Sequence, residues 1–160
     1  MLEAQQRAIE LKKKYHLQEH VEGGVFSEVY TAPFENDGRS FAGSIYFLLD
    51  VGEISHFHQI DCDEIWFYHE GCGMRITLLA EAGIKSLLLG SNLQNGECAM
   101  AVIPKGSIFA AENLESDSYT LVSCVTVPKF SYSGFRLVSI SEIRDRYGEM
   151  ADDIENLAYD

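Results

Sequence analysis

The residues most able to do chemistry are concentrated in one stretch, HFHQIDCDEIWFYHEG, at positions 56–71. It combines imidazoles with carboxylates, the side-chain types that bind transition metals and that transfer protons near neutral pH. His56 and His58 come first, Asp63 and Glu64 follow, and His69 comes last. Three interpretations follow: a metal site, a proton-transfer site, or a polar strand end without chemistry.

The spacing of His56 and His58 is that of two residues on one face of a strand. Because side chains alternate along an extended chain, both imidazoles are expected on the same side. A carboxylate from the next strand, Asp63 or Glu64, would complete a two-histidine, one-carboxylate set suited to iron, manganese, nickel or zinc. His56, His58 and Glu64 are therefore candidate ligands of a divalent transition metal.

Alternation along 63–70 divides the next side chains between two faces. Glu64, Trp66 and Tyr68 share one face. The other face carries Asp63, Ile65, Phe67 and His69. A face that combines a carboxylate with a tryptophan beside histidines is typical of a ligand cavity. The alternative is a solvated strand end with an ordinary buried tryptophan, and spacing alone does not separate the two.

The elements that must position these residues follow from the hydrophobic period. Residues 2–15 have a helical period, and a second helical stripe lies near the C-terminus. Between them, many short strand-like segments are separated by turn signals such as Asn95-Gly96. This order predicts an antiparallel sandwich or barrel. We predict one domain over 1–160, with a β-roll over about 24–140 and a C-terminal helix over about 141–158.

Composition and charge restrict the partners. The formal net charge of −13 repels nucleic-acid phosphates and anionic lipid. The apolar runs are too short to span a bilayer, and the first residues lack the apolar core of a signal peptide. The four cysteines form no C-x-x-C pair, which argues against a structural zinc site. We therefore predict a cytoplasmic protein that contacts neither nucleic acid nor a membrane.

Two ordered motifs resemble those of a known superfamily. The first cupin motif is similar to His56-x-His58 with Glu64 and Gly71. The second cupin motif is similar to the series Gly96, Pro104-x-Gly106, Phe109 and Asn113. The closer resemblance is to the DUF985, or cupin-5, family, whose members are similar to sugar-epimerase cupins of the dTDP-4-dehydrorhamnose epimerase type. It extends over roughly residues 5–157. The residues that carry it include His20, Glu22, Gly23-Gly24, Phe26, Glu28, Ser44–Leu49, His58, Asp63-Glu64, Trp66, His69, Gly71, Leu89-Gly90, Val102, Tyr119, Leu121-Val122, Val127-Pro128 and Phe130.

For the fold, the resemblance implies an all-β double-stranded β-helix, a cupin jelly roll that encloses one central pocket and is flanked by N- and C-terminal helices. It also implies a homodimer. Phe109 departs from the pattern, because it stands where the second motif usually supplies a metal-binding histidine. His56 departs as well, since the close family tends to have a small or apolar residue there, and Glu64 lies one residue beyond the usual carboxylate position.

For the function, the resemblance implies acid–base chemistry on a carbohydrate-like ligand. Sugar epimerases of the superfamily remove a proton beside a ketone with a histidine base, a carboxylate that orients it, and a tyrosine donor on the opposite face. Here the base would be His58 or His69, the orienting acid Glu64 or Asp63, and the donor Tyr46 or Tyr68. The residues expected to contact the ligand are His20, Glu22, Asp63, Trp66 and Tyr68.

Two other functions stay open. A metal-dependent dioxygenase or isomerase would use the triad of His56, His58 and Glu64, whereas a non-catalytic module would only bind a ligand. The cofactor is accordingly either none or a divalent transition metal. Arginines are scarce in the β region, so we expect a smaller and less anionic ligand than a nucleotide sugar. Whether the protein is an isomerase, or an enzyme at all, is left open by the sequence.

Overall fold

Two helices frame thirteen strands in the computed structural model, which describes residues 2–80 and 83–159. Met1, Glu81, Ala82 and Asp160, which the predicted domain includes, lie outside the described residues. The helices are α1 (Leu2–Tyr15) and α2 (Ile140–Tyr147). The strands are β1 (Gln18–Glu19), β2 (Val25–Thr31), β3 (Glu35–Asn36), β4 (Arg39–Ser40), β5 (Gly43–Leu49), β6 (Ile54–Ile60), β7 (Asp63–Gly71), β8 (Met74–Ala80), β9 (Gly83–Leu89), β10 (Met100–Ile103), β11 (Ile108–Asn113), β12 (Thr120–Val127) and β13 (Phe135–Leu137).

The strands form two facing antiparallel sheets. The six-stranded sheet has the order β1-β2-β5-β12-β7-β10, and the five-stranded sheet has the order β13-β6-β11-β8-β9. β3 and β4 make a separate hairpin. The main core contains side chains of both sheets, including Phe47, Trp66 and Val122 from the first and Ile76 and Phe109 from the second. This confirms the predicted all-β jelly roll with a helix at each end.

Each helix covers the outer face of one sheet. Ala8 and Leu11 of α1 pack against Leu48 and Leu121 of the six-stranded sheet. Ile143 of α2 belongs to a cluster that covers the five-stranded sheet; its other members include Phe57, Ile108, Ala110, Val138 and Leu157. The helices thus cover part of each outer face, and the space between the sheets contains the core and a cavity. No described helix is both long and apolar enough to cross a membrane.

A β-bulge interrupts the pairing of β6 with β11. Ser55 pairs with Ala111 and His58 pairs with Phe109, so two residues of β6 lie opposite Ala110 alone. Such a bulge reverses the side-chain alternation beyond it. Ser55 and His58 therefore both point between the sheets, while Phe57 packs under α2 on the outside. The strict alternation assumed from the sequence does not hold for this strand.

The C-terminal segment is less helical than predicted over about 141–158. α2 begins with a cap in which the backbone N–H of Glu142 donates to the Ser139 hydroxyl, and it ends at Tyr147. Gly148 follows with a positive φ of +55°, which glycine adopts more readily than other residues. The remaining residues form two short 3₁₀ turns, Gly148–Ala151 and Glu155–Leu157.

Candidate functional site

A cavity of about 260 Å³ lies between the sheets. Its walls come from β2, β5, β6, β7 and β12, from the turn before β2, and from the segment 129–132. Most of the wall is apolar. The lining residues are His20, Glu22, Phe26, Glu28, Gly43, Ser44, Ile45, Phe47, His58, Ile60, Glu64, Cys124, Thr126, Lys129, Phe130, Ser131 and Tyr132.

The carboxylate of Glu22 is the centre of the polar groups. Its Oε1 accepts a hydrogen bond of 2.9 Å from the Ser55 hydroxyl. Its Oε2 lies 3.3 Å from Nε2 of His58 and 3.4 Å from Nδ1 of His20. All four side chains are buried, so each polar atom depends on these partners or on a ligand. The arrangement is a compact acid–imidazole cluster facing the cavity.

The imidazole of His58 is held in one tautomer. Its Nδ1 lies 2.7 Å from the backbone carbonyl oxygen of His56, which can only accept a hydrogen bond. Nδ1 therefore carries the proton, and in the neutral ring Nε2 is the basic nitrogen. That nitrogen faces Glu22. Phe109 packs against the ring with centroids 4.2 Å apart, so the second-motif position supplies packing to His58.

Burial favours the neutral form of both partners. It raises the pKa of Glu22 to about 7, although the nearby His20 and Ser55 offset part of this rise. Burial also lowers the pKa of His58, which is 2% exposed, below its ordinary value. The desolvation cost acts on the charged form of each group, so it favours a neutral acid beside a neutral imidazole. A proton on Oε2 of Glu22 would lie next to Nε2 of His58, since the two atoms are 3.3 Å apart.

Glu64 is the second buried carboxyl group of the cavity. It is 8% exposed, and burial raises its pKa to about 7. The charge of Glu22 adds to this rise, whereas His58 and Trp66 reduce it. Two acids that share one cavity disfavour each other's ionised form. At neutral pH the cavity therefore holds fewer charges than its carboxyl groups would carry in water.

The turn before β2 carries Glu22 to its place. The backbone N–H of His56 donates to the Glu22 carbonyl oxygen over 2.8 Å, which fastens the turn to β6. Gly23 has a φ of +104°, and a side chain there would overlap the carbonyl oxygen of Ile54. Only glycine combines that backbone angle with so close an approach. The Gly23-Gly24 pair thus allows the carboxylate of Glu22 to reach His58.

The mouth of the cavity combines aromatic rings with one cation. Phe130 and Tyr132 lie there with ring centroids 5.0 Å apart, and the His20 ring lies 6.1 Å from each. The ammonium group of Lys129 is 2.9 Å from the Glu28 carboxylate and donates to the Thr31 hydroxyl. The positive charge at the mouth is therefore already compensated by protein.

His56 does not share a face with His58, contrary to the alternation argument. Its Nδ1 lies 2.8 Å from the Glu22 carbonyl oxygen, and its ring lies edge-on to Tyr159 with centroids 5.8 Å apart. The bulge in β6 is the physical reason, because it shifts the alternation by one residue. The predicted triad of His56, His58 and Glu64 is thus not assembled. Within 2–80 and 83–159, no group of three His, Cys, Asp or Glu side chains is arranged to hold a metal ion.

His69 and Tyr46 lie on the outer face of the six-stranded sheet. Nε2 of His69 is 2.8 Å from the Ser123 hydroxyl, and the Tyr46 ring lies 4.4 Å from Tyr15 of α1 and 5.9 Å from His69. Neither side chain lines the cavity. The same alternation that turns Glu64 inward turns His69 outward.

Three further candidates lie outside the cavity lining. Trp66 is in the core between Phe47 and Phe109, and its indole nitrogen has no hydrogen-bond partner among the described residues. The Tyr68 hydroxyl donates to the Gly71 carbonyl oxygen over 2.7 Å. Asp63 accepts a hydrogen bond from the backbone N–H of Lys105. Of the predicted residues, the cavity therefore brings together His20, Glu22, His58 and Glu64.

Several residues that the structure brings to the site have little or no signal in the sequence. Ser55 bonds Glu22 only because of the bulge, and a bulge has no simple sequence signal. The family resemblance is the signal for Phe130, and Tyr132 lies in a 3₁₀ turn without periodicity. The charge of Lys129 and its place after Pro128 were the available signals. Long-range contacts decide the role of all of these residues.

Comparison with known proteins gives relatives of the same fold. The family model described as Cupin superfamily (DUF985), Cupin_5, matches residues 10–138. Protein SO0799 from Shewanella oneidensis, an X-ray crystal structure, is 32% identical with a TM-score of 0.90, covering 95% of this chain and 97% of that chain. A hypothetical protein from Leishmania major is 27% identical with a TM-score of 0.87, covering 96% and 99%. The uncharacterized protein YML079W of Saccharomyces cerevisiae is 29% identical over 142 residues, which are 77% of this chain and 71% of that protein.

Proposed function

This chain belongs to the DUF985 family of the cupin superfamily, and we propose that it binds a carbohydrate-like small molecule in its cavity and isomerises or epimerises it by acid–base chemistry. The observation that carries the proposal is the contact of 3.3 Å between Nε2 of His58 and Oε2 of Glu22 inside a cavity of about 260 Å³. A cavity of that volume accepts a single sugar ring or a metabolite of similar size.

The acid–base step requires a base whose tautomer is fixed and whose proton affinity suits neutral pH. Nε2 of His58 meets the first requirement through the hydrogen bond between its Nδ1 and the carbonyl oxygen of His56. Glu22 supports the second, because burial raises its pKa to about 7, so near neutral pH this carboxyl group can hold or release the proton that His58 takes up. In this proposal Glu22 is the acid that orients His58, the role that the sequence predicted for Glu64 or Asp63.

In the proposed reaction, Nε2 of His58 receives a proton from a ligand carbon beside a carbonyl group. The C–H bond breaks, its electron pair remains on the ligand as an enolate, and the proton stays on the pair formed by His58 and Glu22. Return of a proton to the ligand completes the isomerisation with no net change in protonation. The hydroxyl of Tyr132, at the cavity mouth, is the available donor from the other side, since Tyr46 and Tyr68 do not line the cavity.

The proposal requires no metal cofactor. A metal-dependent dioxygenase or isomerase built on His56, His58 and Glu64 is not what the side-chain geometry favours, because His56 is turned onto the Glu22 carbonyl oxygen. A non-catalytic binding module would use the same cavity and the same polar groups. The two remaining functions differ in one respect: only the enzyme exchanges a ligand proton with the solvent.

The test follows hydrogen exchange from ²H₂O into a panel of aldohexoses, ketohexoses and pentoses by NMR, with chelator-treated protein. We expect deuterium at the carbon beside the carbonyl of at least one sugar, and its loss in His58→Gln. His69→Gln is the matched control, because His69 is a histidine outside the cavity. Binding to wild type without any exchange would support the non-catalytic module. Equal exchange in wild type and His58→Gln would contradict the role of His58.

We also propose a homodimer in which β10 pairs with β10 of a second copy. β10 is the last strand of the six-stranded sheet, so its far edge has no neighbouring strand among the described elements. Two of its side chains, Met100 and Val102, are about half exposed and lie beside Phe67 and Ile65 on the outer face. An antiparallel β10–β10 pair is self-complementary, as a two-fold interface must be.

Size-exclusion chromatography with light scattering tests the dimer at micromolar concentration. We expect wild type to be dimeric and Val102→Glu to be monomeric. Val29→Glu is the control, because Val29 is as exposed as Val102 but belongs to β2. A monomeric wild-type protein would reject the dimer. We further propose a cytoplasmic location, which is supported by four cysteines that are all free thiols.

A further inference from the structure

The charges that line the cavity do not balance. Three carboxyl groups line it, those of Glu22, Glu28 and Glu64, against one lysine, Lys129. The ammonium group of Lys129 is 2.9 Å from the carboxylate of Glu28, so these two charges compensate each other at the mouth. No arginine lines the cavity among the described residues. Glu22 and Glu64 are thus left without a fixed cation.

The histidines do not supply the missing positive charge. His58 is the nearest ring to Glu22, and His20 lies almost as near. Burial lowers the pKa of both imidazoles below the ordinary value, which leaves them neutral near pH 7. They can share a proton with Glu22, but they do not act as permanent counter-ions.

Glu64 is the least compensated polar group of the cavity. It is more than nine-tenths buried and lines the cavity. The side chains that favour its ionised form are those of Trp66, His58 and Cys124, and none of these is a lysine or an arginine. Burying an unpaired carboxylate is costly, and in folded proteins such a group is usually matched by a cation or a ligand. The side chain is therefore in place to receive a positively charged group from a ligand.

The remaining walls suit the body of such a ligand. Phe26 packs edge-on against His20 with ring centroids 4.8 Å apart, and Phe130 and Tyr132 continue the aromatic surface to the mouth. Aromatic faces attract cations and also cover the apolar faces of sugar and other rings. An anionic ligand would instead meet two acids and no free cation.

We propose that the ligand of this cavity is a small amine, such as an amino sugar, whose ammonium group lies between the carboxylates of Glu22 and Glu64 and whose ring lies against the aromatic wall. The inference rests on the proposed function, because it concerns the same cavity, and it narrows the ligand class from carbohydrate-like molecules in general to those with a basic nitrogen. In this complex the ligand supplies the cation that the protein lacks.

Matched probes separate the amine from the rest of the ligand. Glucosamine is compared with glucose and with N-acetylglucosamine, and benzylamine with benzyl alcohol, by isothermal titration calorimetry at pH 7.5. We expect each amine to bind at least about tenfold more tightly than its neutral partner, which corresponds to about 1.4 kcal/mol. N-acetylation, which removes the charge but keeps the ring, should abolish the advantage.

Variants locate the effect in the cavity. Glu64→Gln keeps the size of the side chain and removes the charge, and it should reduce the preference for the amine to about twofold or less. Asp63→Asn is the control, because Asp63 is the neighbouring carboxylate on β7 and does not line the cavity. Thermal unfolding of each variant shows that it is folded.

The outcomes distinguish this inference from the proposed function. Equal or tighter binding of the neutral probes would overturn the amine inference and leave carbohydrate binding in the cavity intact. An amine preference that Glu64→Gln leaves unchanged would also overturn it, since the charge would then be recognised elsewhere. Binding of no amine probe at millimolar concentration would count against the inference, while the hydrogen-exchange experiment decides separately about acid–base chemistry.

Discussion

The two faces of the six-stranded sheet carry similar polar residues in different surroundings. The inner face has Glu64 and, opposite it, Glu22, Ser55 and His58; the outer face has His69, Ser123 and Glu70. A histidine, a serine and a glutamate thus lie on each side of this sheet, although His58 and Ser55 belong to β6 of the facing sheet. On the inner face, however, burial raises the pKa of the acid and lowers that of the imidazole, whereas on the outer face Arg7 lowers the pKa of Glu70. Desolvation therefore decides which set has the properties of an acid–base site.

The largest loss of stability is expected from a substitution at Gly23, in the turn that positions Glu22. Gly23→Ala places a Cβ against the carbonyl oxygen of Ile54 at a φ of +104° and should destabilise the protein by about 3 kcal/mol while displacing Glu22 from His58. Gly38→Ala, in the exposed β3–β4 turn with open space around it, should cost about 1 kcal/mol from backbone strain alone. Urea denaturation measures both. Similar losses in the two variants would contradict the close approach at Gly23.

The next largest effect is a pH-dependent change in the free energy of unfolding. It has opposite signs for Glu64 on the inner face and Glu70 on the outer face. Burial raises the pKa of Glu64 from 4.5 to about 7, so the folded protein holds a proton that the unfolded chain has released. The stability from this group is complete below pH 4.5 and is lost as the pH rises towards 7. Glu64→Gln should therefore stabilise the protein at pH 8 by up to about 3 kcal/mol, with the difference disappearing near pH 4.5.

Glu70→Gln supplies the outer-face comparison. Arg7 lowers the pKa of Glu70 below its ordinary value, so this group contributes stability above pH 4.5 and loses it in acid. The variant should be less stable than wild type at pH 8, by under about 1 kcal/mol because the ion pair is solvent-exposed. Unfolding free energies measured from pH 4 to 8 give both profiles. A Glu64→Gln variant that is less stable at pH 8 would contradict the burial of an uncompensated acid.

The smallest difference in stability loss is expected between alanine substitutions of two serines, Ser55 and Ser123. Ser55→Ala removes the hydroxyl that donates to the buried carboxylate of Glu22 and should cost about 1–2 kcal/mol. It should also raise the pKa of Glu22 further, since that hydrogen bond favours the ionised form. Ser123→Ala removes a hydrogen bond to the exposed His69 and should cost less than about 0.5 kcal/mol. Thermal unfolding at pH 7.5 compares the two, and equal losses would show that burial does not separate the faces.

The sequence predicts the fold better than it predicts the site. Short strands, turn signals and the two motifs are local features, and together they identify the jelly roll that the structure confirms. Regular alternation also places Glu64 inside and His69 outside, because the pairing of β7 with β12 is regular from Asp63 to Tyr68 and shifts only at His69. Alternation predicts the wrong face for His56, because β6 contains a bulge. That bulge depends on the pairing of β6 with β11, which is a long-range contact. The acid that contacts His58 is Glu22, which lies 36 residues earlier in the chain, and no periodicity relates the two.

The bulge in β6 has a consequence for how this site can vary. Position 56 acts through its backbone, whose N–H binds the Glu22 carbonyl oxygen and whose own carbonyl oxygen fixes the tautomer of His58. Any amino acid except proline provides both backbone groups, so a substitution at position 56 should lose only the side-chain contacts with the Glu22 carbonyl oxygen and Tyr159. Deleting it, by contrast, would bring the strand back into register and rotate Ser55 away from the cavity. The site therefore requires two residues between Ser55 and His58 more strictly than it requires particular side chains at those two positions.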